Sequence, residues 1–325
     1  MIDDVLAQPV QLGDALWRVE AAQIPRRERA GGLVVCGMGG SAIGGDLAAA
    51  AIGARATRPV RTVRGYSPEP WLSADTLVLC ASYSGRTEET LACFDAAGEA
   101  GAERVALTTG GPLAERARAE GVPVIGVPSG MQPRASVVYM TIAALECAAL
   151  CGAVAPLREE IEAAAPTLQE LAEDDEPNEI ARALKDTLPV VHGAEITSAA
   201  ARRWKSQLNE NSKVAAFASE LPEANHNEIE GWRWGHDHAP ISAVFLTAEG
   251  QHPRVERRID LTAGLLEGQG VRVVRVAARG ERAVAKVLSL VMLGDLVSVR
   301  LAELSGVAPE PVVYIEGFKD ALGDP

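Results

Sequence analysis

A chain of 325 residues is long enough for one large domain or two medium ones, each with its own core. Hydrophobic residues make up 47% and charged residues 23%, an ordinary globular mixture, while a net charge of −13 excludes the basic surface that broad nucleic-acid or anionic-membrane binding needs. A small anionic substrate stays open, because a local set of donors holds one phosphate inside an acidic protein.

The opening MIDDVLAQPV has no basic stretch leading into an apolar core, so no signal peptide is expected, and no apolar run reaches membrane-spanning length. The first strand-like run, LVVC, leads into GMGGSAIGGD. Gly37, Gly39 and Ala42 satisfy the dinucleotide pattern, but the next strand-like run, VRTV, lacks the acid that would hold a ribose. The turn still offers backbone N–H groups and Ser41 to an anion or a sugar hydroxyl, unless its glycines serve packing alone. TLVLC follows and ends in ASYSGRTEET, which gathers Ser82, Ser84, Gly85 and Thr87 where a strand gives way to the helical TEETLACFDAAGEA. One hydroxyl there would be an N-cap; three within six residues suit a phosphomonoester cradle. No lysine follows the glycine as in a nucleotide P-loop, so nucleoside triphosphate hydrolysis is not expected.

RVALT and VPVIGV complete the strands of the first half, and PRASVVYMTIAALECAALCG closes it as a long helix. Short continuous apolar strands alternating with helices predict an α/β fold with a parallel sheet covered on both faces. The charged PLREEIEAAAPTLQELAEDDEPNE is the composition shift that marks a boundary, giving domains 1–153 and 154–325. The cycle then restarts with LPVVHGAEITSAAARRW, KVAAFAS, ISAVFLT, a helix over RVERRIDLTAGLLEGQ, VRVVRVA and a long closing helix. Cys36 and Cys80 end strands, and Cys147 and Cys151 share a helix face with no second ligand pair nearby; the five cysteines read as core thiols of a reducing compartment, the cytoplasm.

The stretch SQLNENSKVAAFASELPEANHNEIEGWRWGHDH concentrates Glu210, His226, Glu228, Glu230, His236 and His238. Its residue types suit a zinc or manganese site, although the H-E-x-x-H helix is absent. They also suit proton transfer by one Glu and one His without a metal, or a polar surface loop. Trp232 and Trp234 within the patch suggest the rim of a site.

Together, GMGGSAIGGD, SYSGRTEET, PRAS, NENSK, ELPEANHNEIEGW and APEPVVYIEGFK resemble the bifunctional phosphoglucose/phosphomannose isomerases, built from two sugar isomerase (SIS) domains. The resemblance implies two SIS domains, each a parallel sheet flanked by helices. It also implies a homodimer with active sites shared between subunits and a small sugar phosphate as substrate; moving a proton between neighbouring carbons needs no redox cofactor, and no metal is expected. Position by position it assigns phosphate binding to Ser82, Ser84 and Thr87, and substrate contact to Gly40 and Ser41. Glu210 matches the catalytic base, His226 the ring-opening histidine supplied by the neighbouring subunit, Arg134 the arginine beside the developing enediolate, and Lys319 the lysine that assists at the sugar ring. Family members that accept both epimers carry a threonine in the C-terminal segment. Residues 307–319 here contain neither Ser nor Thr, which ranks the mannose reaction behind the glucose one. The same turns would also serve a non-catalytic SIS sensor of a sugar phosphate, or an SIS isomerase of a different sugar phosphate.

Overall fold

The computed structural model describes residues Met1–Gly323, except for the side chains of Arg233, Trp234 and His236. Helices α1 (Ile2–Leu6) and α2 (Gln8–Ala21) lead into β1 (Gly32–Gly37), α3 (Gly39–Ile52), β2 (Val60–Val63), β3 (Thr76–Ala81), α4 (Glu88–Glu99), β4 (Glu103–Thr108), α5 (Gly111–Ala119), β5 (Val124–Gly126) and α6 (Val137–Leu150). Three helices follow, α7 (Arg158–Glu162), α8 (Ala165–Ala172) and α9 (Glu176–Leu184). The pattern then repeats as β6 (Leu188–Gly193), α10 (Ser198–Glu210), β7 (Phe217–Glu220), α11 (Glu228–His238), β8 (Ile241–Thr247), α12 (Pro253–Gly268), β9 (Arg272–Ala277), α13 (Ala283–Leu304) and α14 (Val313–Leu322).

Two compact units result, one of residues 6–166 and one combining residues 1–5 with the chain from Thr167 onward. The sequence boundary after residue 153 therefore falls earlier than the division of the structure. α7 stays with the first unit because it packs on α2 with Leu157 and Ile161 buried; Arg55 also reaches Glu160 at 2.6 Å and Arg158 reaches Glu20 at 3.1 Å. Pro177 stands in the first turn of α9, where its missing N–H costs nothing, so it starts a helix rather than ending one.

The first sheet is parallel with strand order β2-β1-β3-β4-β5. Its apolar strands need cover on both faces and have it. Val34, Cys36, Val78 and Cys80 pack with Leu91, Cys93 and Phe94 of α4 and Leu113 and Ala117 of α5. Period-two alternation turns Leu33, Val35, Leu77 and Leu79, also buried, to the opposite face. All five cysteines are buried and free, as expected of core thiols. Hydrogen bonding to Cys80, and then burial, push the Cys36 thiol well above its ordinary range. Such protonated thiols are poor nucleophiles.

The second sheet is also parallel, in the order β7-β6-β8-β9. One face carries Ala243 and Phe245 against Trp232 of α11 and Val255, Ile259, Ala263 and Leu266 of α12. His192 of β6 is registered against Phe245 and stacks on it at 4.7 Å, with the Trp232 ring 5.8 Å away. The imidazole is buried and neither ring nitrogen has a hydrogen-bond partner among the described residues, so desolvation lowers its pKa to about 4. Below about pH 6.5 the unfolded chain takes up a proton that the folded one refuses. This contribution to stability is complete above pH 6.5 and is lost as the pH falls toward 4. Between pH 7 and 4.5, His192 is expected to withdraw about 2–3 kcal/mol, read as a fall in the urea midpoint. His192→Leu should flatten that part of the profile; an equally steep fall in the variant would assign the sensitivity to other groups.

Candidate active site

A parallel sheet in the order 2-1-3-4-5 has its topological switch point between its first and third strands, and ligands collect at the carboxyl ends there. In the first unit these are β1 and β3, registered from Gly32 opposite Thr76 to Gly37 opposite Ala81. Their carboxyl ends lead into the two turns singled out in the sequence. The turn after β1 starts α3 with Gly40 and Ser41, and the turn after β3 starts α4 with Ser82, Ser84 and Thr87. The Tyr83 N–H donates to Ser41 Oγ at 3.3 Å, joining one turn to the other.

The hydroxyl turn has a defined internal geometry. Ser82 Oγ and Thr87 Oγ1 share a hydrogen bond of 2.8 Å, and the Gly85 N–H donates to Ser82 Oγ at 3.0 Å. Ser84 is exposed, and its Oγ accepts from the Arg86 N–H at 3.2 Å. Thr87 occupies the N-cap position of α4, but its side chain makes no capping hydrogen bond. The bland reading of this threonine as an ordinary cap therefore does not describe its hydroxyl. Gly85 has φ +67°, and a Cβ there would lie 1.9 Å from the Gly110 carbonyl oxygen, so only glycine fits. Tyr83 braces the turn from below: its OH donates to the Pro128 carbonyl at 3.1 Å and accepts from the Met131 N–H at 3.0 Å. The only signal of this role in the sequence is an aromatic ring amid small polar residues.

Arg134 belongs to a 3₁₀ turn, Pro133–Ser136, that precedes α6. A Cβ on Gly40 would stand 3.2 Å from the Arg134 Cα, so the glycine lets the β1 turn lie directly against this segment. Arg134 is buried, and its guanidinium donates to Gln132 Oε1 at 3.2 Å. Gly40, Ser41, Ser82, Ser84, Thr87 and Arg134 thus all belong to the carboxyl edge of the first sheet or the segment packed on it.

The switch point of the second sheet lies between β6 and β8, and its own side chains bridge it. Gln251 Nε2 donates to the Ala194 carbonyl at 2.8 Å, Gln251 Oε1 accepts from the Ala248 N–H at 2.9 Å, and the His252 N–H donates to Glu195 Oε2 at 3.0 Å. The acid–base candidates of this unit stand on other elements. Glu210 is the last residue of α10 and is half-buried. His226, exposed, ends a 3₁₀ turn, Glu223–His226, and Lys319 is exposed on α14.

In the polar patch after β7, two residues make hydrogen bonds that start α11. Glu228 accepts from Ser219 Oγ at 2.6 Å, and Asn227 caps α11 by accepting from the Glu228 N–H at 2.6 Å. Trp232 was expected on a rim, but the helical period of α11 turns it into the core against His192. His238 ends the helix exposed, while the side chains of Trp234 and His236 lie outside those described. A cavity of about 360 Å³ under α11 is lined by Val190, Phe217, Ser219, Glu228, Trp232 and Ile241, and by none of the nine residues assigned to the site from the sequence.

Residues 173–322 match the model of the bacterial phospho-glucose isomerase C-terminal SIS domain. The bifunctional phosphoglucose/phosphomannose isomerase of Aquifex aeolicus is 40% identical over 294 residues, covering 90% of each chain. The enzyme of the same name from Caldicellulosiruptor bescii is 36% identical over 303 residues, 90% of this chain and 89% of that one. In fold, the chain is similar to the crystal structure of a hypothetical protein from Thermus thermophilus, with a TM-score of 0.74 at 19% identity over 99% of this chain and 90% of that one. Sequence likeness over nine-tenths of its length, on two parallel sheets flanked by helices, makes this chain a member of the bifunctional phosphoglucose/phosphomannose isomerase family.

Proposed function

We propose that this protein interconverts glucose 6-phosphate and mannose 6-phosphate with fructose 6-phosphate by proton transfer through a cis-enediol. The observation that carries the reading is the hydroxyl turn at the β1/β3 switch point, in a chain 40% identical to a relative of that name. Substrate and product are isomers, so no electrons leave the sugar and no redox cofactor is required. Ser82, Ser84 and Thr87, with the first N–H groups of α4, take the phosphate, while Gly40 and Ser41 contact the sugar chain. Glu210 removes the C2 proton of the open aldose and returns it at C1. Arg134 stabilises the charge that grows on the enediolate oxygens. His226 moves the proton that opens the ring, assisted by Lys319. The exposure of His226 on its own unit suits its delivery to the site of a second subunit in a homodimer. The two compact units serve as the N- and C-terminal SIS domains, and the buried free thiols suit a cytoplasmic enzyme.

The direct test treats the purified protein with EDTA, adds fructose 6-phosphate, and follows both aldose phosphates. Both products are expected. Glucose 6-phosphate alone would make the missing C-terminal threonine a change of specificity, and neither product would overturn the reading in favour of a sensor or a different sugar phosphate. A substitution probes the phosphate handle separately. Gly85→Ala forces a side chain into the left-handed region and against a carbonyl, strain of about 1–3 kcal/mol that only a shifted turn relieves. KM for fructose 6-phosphate is expected to rise roughly tenfold or more. An unchanged KM would remove the turn from phosphate binding.

A further inference from the structure

Glu210 occupies the last position of α10, a poor place for a group that must be held still. Helix ends fray, and their last carbonyls lack intrahelical partners. In this chain the end of α10 is held from two sides. On the buried side, Asn211 Nδ2 donates to Ser298 Oγ of α13 at 2.9 Å, and the Ser212 hydroxyl donates to the Ser298 carbonyl at 2.7 Å. Ser298 Oγ in turn donates to the Asp295 carbonyl at 2.7 Å, so its hydroxyl both gives and accepts. Asn211, Ser212 and Ser298 are all buried, and α13 is buried along most of its length. On the solvent side, Lys213 Nζ donates to the Glu210 carbonyl at 2.5 Å and to the Pro309 carbonyl at 3.2 Å.

We propose that Asn211 and Ser298, with Lys213 outside, are positioning residues that fix the Glu210 carboxylate for proton transfer. The inference rests on the reading of Glu210 as the base. Stability alone does not account for the arrangement, because apolar groups of the same shape would hold α10 against α13 about as well as a buried amide–hydroxyl pair. What the hydrogen bonds add is direction. They fix the rotation and register of the final turn, and Glu210 is joined to Asn211 by a single peptide bond. A misplacement of about 1 Å at a reacting group costs up to roughly a hundredfold in rate, so a loose end would show in turnover before it showed in binding.

The test compares Asn211→Ala, Ser298→Ala, their double variant, Lys213→Met and Glu210→Gln, each in the full chain with fructose 6-phosphate as substrate. Asn211→Ala and Ser298→Ala are each expected to lower kcat roughly 10- to 100-fold with KM within about threefold. The double variant should fall little further than the worse single one, because the two act as one contact. The pH profile of kcat should shift in the same variants, an effect that a general loss of stability at a fixed assay temperature does not produce. Lys213 is exposed, so Lys213→Met should fold normally and still lower kcat several-fold. Wild-type kcat and pH profile in Lys213→Met and in whichever buried variant folds, with only the melting temperature reduced, would overturn the proposal. Retained turnover in Glu210→Gln would overturn both the assignment of the base and the proposal resting on it. Lost turnover there, beside normal turnover in the other variants, would overturn the positioning role alone.

Discussion

Glu210→Gln is expected to lower kcat by about 10²- to 10⁴-fold while leaving KM within about threefold. The amide matches the carboxylate in size and fits the same place at the end of α10, but it cannot accept a proton from carbon. The phosphate end of the substrate, assigned to the turn after β3, keeps its contacts, so substrate binding should survive. Calorimetric titration with fructose 6-phosphate separates the two quantities. Unchanged binding with lost turnover supports an enzyme over a non-catalytic sensor. Full turnover in the variant would require another base, and the exposed Glu228 and Glu230 would be the next acids to test.

The largest loss of stability is expected at Arg203, two turns before Glu210 on α10. Its guanidinium pairs with Asp295 of α13 at 2.7 Å, with side chains 2% and 0% exposed. The neighbouring Trp204 donates its indole N–H to the Leu290 carbonyl at 2.7 Å, so the two helices are joined by polar contacts along their length. Arg203→Met strips Asp295 of this partner in a buried position and should cost about 3–5 kcal/mol. For a unit of this size that corresponds to a fall in melting temperature on the order of 10 °C. The double variant Arg203→Met with Asp295→Leu should recover most of the loss, since a well-packed apolar pair avoids burying the charges. A melting temperature within about 2 °C of wild type in Arg203→Met would mean that this ion pair does not hold α10 to α13.

Much of the architecture was legible locally. Apolar runs such as LVVC and TLVLC admit little but buried strands, and Gly-rich or hydroxyl-rich segments after them announce turns that open helices, because φ > 0 and unpaired N–H groups demand those residues there. What misled was short-range chemistry with two meanings. Trp232 reads as a rim residue until the period of α11 turns it inward onto His192. The domain boundary moved because α7 packs on α2, distant in sequence, and buries Leu157 and Ile161.

The sequence by itself determined the α/β alternation, the two turns that open α3 and α4, and the family. Each is carried by a contiguous stretch whose backbone needs or side-chain chemistry are local. Only the tertiary structure decided that β1 and β3 lie side by side, with β2 outside them, so that Ser41 and the Ser82–Thr87 turn share one switch point. It alone decided that the second switch point is closed by Gln251 and Glu195, and that the end of α10 is fastened to Ser298, 87 positions beyond Asn211. Strand order and helix docking follow from the summed burial of many apolar side chains across the chain, a quantity that no local pattern of residues contains.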